Sequence, residues 1–95
     1  MLKLAGLRPG ERMFDLGSGD GRIVIMAARK YKADATGVEF DDSFFKQSMQ
    51  RIKGLGLSPT ARIIHGDLLA EDYTSADLLT IYLATGGQRK VKAYP

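Results

Sequence analysis

The chain has 95 residues with no cysteine and one histidine, which excludes a disulfide scaffold, thiol catalysis and a histidine metal cluster; no metal site is expected. No apolar run reaches the ~20 residues of a membrane-spanning helix and no signal-peptide core stands at the start, so no membrane is expected and the cytoplasm is the expected location. The net charge of +3 resides in Arg89, Lys90 and Lys92, since residues 1–87 carry 11 basic and 11 acidic side chains; a solvated basic tail is expected rather than a nucleic-acid partner, with contact of the tail with nucleic acid or an acidic partner as the alternative.

In chain order, Leu2, Leu4, Ala5 and Leu7 read as the end of a helix, stopped by Gly6 and by Arg8-Pro9-Gly10. Arg12-Met13-Phe14-Asp15-Leu16 is a short central strand, expected to be covered on both faces. Gly17-Ser18-Gly19-Asp20-Gly21 then turns the chain into an apolar helix over about residues 20–31, with Asp20 as its expected cap. Ala35-Thr36-Gly37-Val38-Glu39 is a second strand. Asp41, Asp42 and Ser43 are caps for an amphipathic second helix with Phe45, Met49 and Ile52 on its apolar face and Gly54 as its stop.

Ala61-Arg62-Ile63-Ile64-His65 is a third strand, with His65 an ordinary strand residue, and Leu68 to Ser75 has room for one helical turn. Asp77 to Leu83 is a fourth, strongly apolar strand, after which residues 86–95 show no apolar period and read as a basic tail. The order β-α-β-α-β-β with right-handed crossovers predicts an α/β, Rossmann-like partial parallel sheet of spatial order 3-2-1-4 over residues 1–85.

The acids at the strand ends indicate the ligand, because those ends form the crevice of an open α/β sheet. Glu39, 22 residues after Gly17, can accept from both hydroxyls of a ribose. A dinucleotide fingerprint wants a small third residue where this chain has Arg22; the third glycine falls one place early, at Gly21. Asp67 can accept from the exocyclic amine of an adenine, and Asp15 places negative charge near the turn, suited to a ligand with an ammonium and a sulfonium. Phe40 stands either beside the adenine or in the core. These features together point to S-adenosylmethionine, held by Asp15, Gly17, Ser18, Gly19, Gly21, Glu39, Phe40, Asp67 and Leu68.

Asp15-Leu16-Gly17-Ser18-Gly19-Asp20-Gly21-Arg22, with Gly37-Val38-Glu39, Gly66-Asp67-Leu68 and Ala76 to Leu83, resembles the successive motifs of class I methyltransferases. The wording is most similar to small archaeal and mitochondrial protein-lysine methyltransferases. The resemblance covers residues 1 to about 85 and implies the N-terminal half of that fold, cut off after the fourth strand, with protein lysine as acceptor. Tyr82 is the one candidate beside an acceptor; no dedicated base is implied, and no Asn/Asp-Pro-Pro-Tyr motif of base amino-group methylation follows the fourth strand. A fourth strand left as an apolar edge would pair with a second copy, so a homodimer is expected, through that edge or by C-terminal exchange. The alternative is a non-catalytic truncated domain that dimerises and binds the cofactor without turnover.

Overall fold

The computed structural model describes residue 4 and residues 6–85 and 88–94, with side chains described through Ile81. The expected N-terminal helix falls largely outside the described residues; Leu4 is buried, and its N–H donates to the Tyr31 hydroxyl at 3.1 Å. Five strands, β1 (Arg12–Leu16), β2 (Asp34–Glu39), β3 (Ala61–His65), β4 (Leu78–Thr85) and β5 (Gln88–Tyr94), alternate with two helices, α1 (Arg22–Lys30) and α2 (Asp42–Gly54). The sheet order is β3-β2-β1-β4-β5. The first four strands run parallel, as the crossover rule requires.

The expected tail is the point of difference. Residues 88–94 form β5, antiparallel to β4, with Leu79 opposite Tyr94 at one end and Thr85 opposite Gln88 at the other. A short connection after an apolar strand permits a hairpin, and its polar composition hides the pairing from an apolar-period search. β4 is therefore an interior strand of the described sheet, and the unpaired edge expected to drive a homodimer is covered.

Both helices pack on one face of the sheet. The register aligns Met13, Ala35, Ala61 and Leu78 across it. With Ile63 they form one buried cluster with Ile23, Val24, Ala27 and Ala28 of α1 and Ile52 of α2. A fully buried aliphatic side chain contributes about 1.5–3 kcal/mol, so this seam holds the layers together. On the opposite face the β3–β4 connection is short and holds one helical turn, as its length predicts. This 3-10 turn, Leu68–Ala70, leads to Tyr73, whose ring meets Phe14 edge-on at 5.3 Å. A pocket of about 160 Å³ on this face lies at the N-terminal strand ends, where Arg62 bridges Asp34 at 2.7 Å and Thr36 at 2.9 Å.

Helix ends follow local chemistry. Asp41 caps α2 by accepting from the Phe44 N–H at 3.0 Å. The expected stop at Gly54 moves to Gly56, which has φ 69°; Gly56 N–H donates to Lys53 and Leu57 N–H to Ile52. Leu57 then packs against the cluster that contains Ile52, and this apolar contact selects the second glycine. Among the described residues no helix is long and apolar enough to cross a membrane.

Candidate functional site

The loops after β1, β2 and β3 meet at the C-terminal end of the sheet, joined by backbone hydrogen bonds. Gly17 and Ser18 N–H both donate to the Val38 carbonyl, at 2.8 and 3.2 Å, which pins the first loop to β2. Gly66 N–H donates to the Glu39 carbonyl at 3.0 Å, which ties the third loop to the same strand. β2 is thus the strand to which both neighbouring loops are fastened.

Within the first loop, Gly17, Gly19 and Gly21 have φ of 75°, 57° and 81°, values that L side chains rarely adopt. The turn therefore needs glycine at all three positions. Gly21 has a second reason: a Cβ there would lie 2.8 Å from the Ser48 Cβ, so the start of α1 presses directly on α2. Ser48 is itself fully buried, its hydroxyl donating to the Phe44 carbonyl at 2.8 Å. Gly21 is the N-cap of α1 in place of the expected Asp20. Asp20 still serves that helix end from one residue earlier, accepting from Arg22 N–H at 3.1 Å and pairing with the Arg22 guanidinium, a side chain 70% exposed. A dinucleotide fold presses glycine against the sheet where this chain projects Arg22 into solvent.

Glu39 is 9% exposed and both of its carboxylate oxygens are engaged. Oε1 accepts from Gly19 N–H at 2.6 Å and Oε2 from Asp41 N–H at 2.9 Å. Each oxygen keeps a second lone pair, so the clamp that closes the glycine turn onto β2 leaves acceptor capacity for two hydroxyls. Asp15 lies deeper, 1% exposed, and accepts from the Thr80 hydroxyl at 2.8 Å. It is part of the buried sheet below the turn.

Asp67 is exposed and its Oδ1 accepts from Leu69 N–H at 2.9 Å, capping the 3-10 turn that begins at Leu68. Oδ2 remains to accept from a ligand. Phe40 is 78% exposed, so of its two expected places the core is ruled out. Its backbone is held by His65, whose Nε2 lies 3.1 Å from the Phe40 carbonyl and must carry the proton there, since a carbonyl only accepts. His65 also stacks on Phe45, with ring centroids 4.9 Å apart. Tyr82 belongs to β4, and its side chain lies outside the described residues. Among the described residues no three His, Cys, Asp or Glu side chains gather as metal ligands.

Sequence reasoning passed over Thr80 as the partner of Asp15 and Gly37 as the seat of the turn. The first leaves no local signal, since the two residues are 65 apart. The second had one: a glycine alone inside a strand marks a close approach.

The chain is similar in sequence and fold to known proteins. The ANTKMT methyltransferase domain profile matches residues 15–94. The chain belongs to this family. It is 32% identical over 93 residues to a protein-lysine N-methyltransferase of Saccharolobus islandicus, covering 97% of this chain and 58% of the relative. It also superposes on an RNA methyltransferase from Salinibacter ruber, solved in complex with S-adenosyl-L-homocysteine, with a TM-score of 0.80 and 38% identity. That match covers 85% of this chain and 53% of the other. A methyltransferase from Thiobacillus denitrificans, 21% identical with a TM-score of 0.66, shares the fold. The chain therefore spans just over half the length of the first two of these relatives.

Proposed function

We propose that this chain forms the S-adenosylmethionine-binding part of a methyltransferase that acts on a protein lysine. The observation that carries the cofactor assignment is the Glu39 clamp. A nearly buried carboxylate sits at the end of β2, joined through Oε1 to the middle of a three-glycine turn, with lone pairs left for ribose hydroxyls. When bound, S-adenosylmethionine supplies a methyl group activated by its sulfonium.

The chain's own residues do the holding. The backbone of Gly17–Gly21 admits the ligand closely, Glu39 orients the ribose, Asp67 Oδ2 accepts from the adenine amine, and Phe40 offers an exposed ring beside it. Asp15 keeps a carboxylate beneath the turn, which suits a cationic ligand. Displacement at a methyl group needs mainly alignment of the nucleophile and exclusion of water; a lysine acceptor must in addition give up its ammonium proton beforehand, to water or to a nearby carbonyl or tyrosine, so the site works without a dedicated strong base.

Isothermal titration with S-adenosylhomocysteine and with NAD tests the cofactor: binding of the first alone is expected, and binding of NAD alone overturns the assignment. Lysine as acceptor is supported by the Saccharolobus relative, which aligns over nearly the whole chain. RNA is the second reading, favoured by the 38% identity to the Salinibacter enzyme. Incubation with methyl-labelled cofactor and a cell lysate decides between them. Label removed by protease supports the protein acceptor and label removed by ribonuclease supports RNA. Binding with no transfer of label identifies a cofactor-binding module without turnover.

A further inference from the structure

We infer that Gly37, in the middle of β2, is a positioning residue for the glycine turn: it sets, through Ser18, how closely the turn lies on the sheet. The consequence for ligand affinity rests on the cofactor reading above; the geometric claim does not. Gly37 has no left-handed backbone to explain it, unlike Gly17, Gly19 and Gly21. Its reason is space. A Cβ at Gly37 would lie 2.6 Å from the Ser18 Cβ, 2.7 Å from the Ser18 Oγ and 2.7 Å from the Ile63 Cδ1.

These contacts differ in kind. Ile63 Cδ1 is the end of a flexible side chain and can turn aside. Ser18 Cβ is one bond from the backbone, so only movement of the turn relieves that contact, by about 1 Å to reach ordinary van der Waals distance. Ser18 is also the middle of three consecutive attachments. Gly17 and Ser18 N–H hold the Val38 carbonyl, and Gly19 N–H holds Glu39 Oε1. A turn lifted at Ser18 draws Gly19 away from Glu39 and opens the clamp. The absent side chain of Gly37 is thus what brings the turn within reach of the carboxylate.

The test compares four variants of the 95-residue chain: Gly37→Ala, Ser18→Gly, the double variant, and Gly54→Ala, a control where a Cβ meets nothing within 4 Å. Two readouts are taken: affinity for S-adenosylhomocysteine by titration calorimetry, and hydrogen exchange of the Gly19 amide by NMR without ligand. Gly37→Ala is expected to weaken affinity and to speed Gly19 exchange, each by about tenfold or more, the scale of losing a hydrogen bond to a charged group. Removing the Ser18 Cβ in the double variant is expected to bring both to within about twofold of Ser18→Gly alone, the margin within which uncoupled effects add.

Wild-type behaviour of Gly37→Ala, or a double variant as impaired as the single one, overturns the inference. Should Gly37→Ala not fold, a double variant that folds and protects Gly19 supports it, and one that stays unfolded overturns it. Should the wild-type chain bind no S-adenosylhomocysteine, the cofactor reading fails by itself, and Gly19 exchange still decides the role of Gly37.

Discussion

Glu39 joins structure and ligand in one side chain, and its chemistry sets what each substitution should do. Both oxygens accept backbone N–H groups, so in Glu39→Gln the new amide nitrogen must face either Gly19 N–H or Asp41 N–H, donor against donor. A lost acceptor at a buried donor costs about 1–3 kcal/mol. Glu39→Gln should therefore lower thermal stability and weaken S-adenosylhomocysteine binding about tenfold or more, the first read by a melting curve and the second by calorimetry. Ser18 should behave in the opposite way. Its residue is 3% exposed, and among the described residues its hydroxyl has no hydrogen-bond partner. Ser18→Ala, which keeps the Cβ and removes the stranded hydroxyl, should leave stability in chemical denaturation unchanged or raise it by about 1 kcal/mol. A marked loss would show that the hydroxyl has a partner in solution. The glycines of the turn and Glu39 were legible because their roles are written in residue type; Gly37, a lone glycine inside a strand, signalled a close approach but not which residue makes it, since that depends on what lies above it in the fold.

At the level of elements, turns and caps decide how each loop is held. The segment after β3 lacks a helix and covers its side of the sheet with Tyr73, whose hydroxyl donates to the Leu68 carbonyl. Burial first, then the carboxylates of Glu71 and Asp67, raises the Tyr73 phenol above its ordinary value of 10.0. The folded state therefore holds this proton more tightly than the unfolded state. The associated stability is complete below pH 10 and falls as pH rises towards and through the folded-state value. Unfolding followed between pH 8 and 11.5 should show this alkaline loss, and Tyr73→Phe should remove the part due to Tyr73 while costing about 1 kcal/mol for the hydrogen bond at neutral pH. The α2 terminus teaches a related lesson. Gly54 and Gly56 are equally good stops by type, and only the packing of Leu57 onto the core with Ile52 selects Gly56.

For the whole molecule, β5 is the element that changes the argument. An apolar β4 left unpaired would present amides and the side chains of Leu79 and Ile81 to another chain. With β5 in place, the outer side of β4 is paired from Leu79 to Thr85 within the same chain. Removal of residues 88–95 should therefore produce concentration-dependent self-association in sedimentation velocity, well above that of the 95-residue chain. Equal behaviour of the two would show that β5 does not protect the β4 edge in solution.

Residue types alone were enough for the order of elements from β1 to β4, the parallel core 3-2-1-4, the three-glycine turn and the acids at the strand ends. Each of these depends on local rules: apolar periodicity, the left-handed φ that only glycine adopts freely, and the right-handed crossover. Only the tertiary structure decided that Glu39 clamps Gly19, that Asp15 is buried against Thr80, that Ser18 rests on Gly37, and that residues 88–94 pair with β4. Those facts join residues distant in the chain or on different strands. Their signal lies in distances and in space left empty, which no local pattern of residue types records.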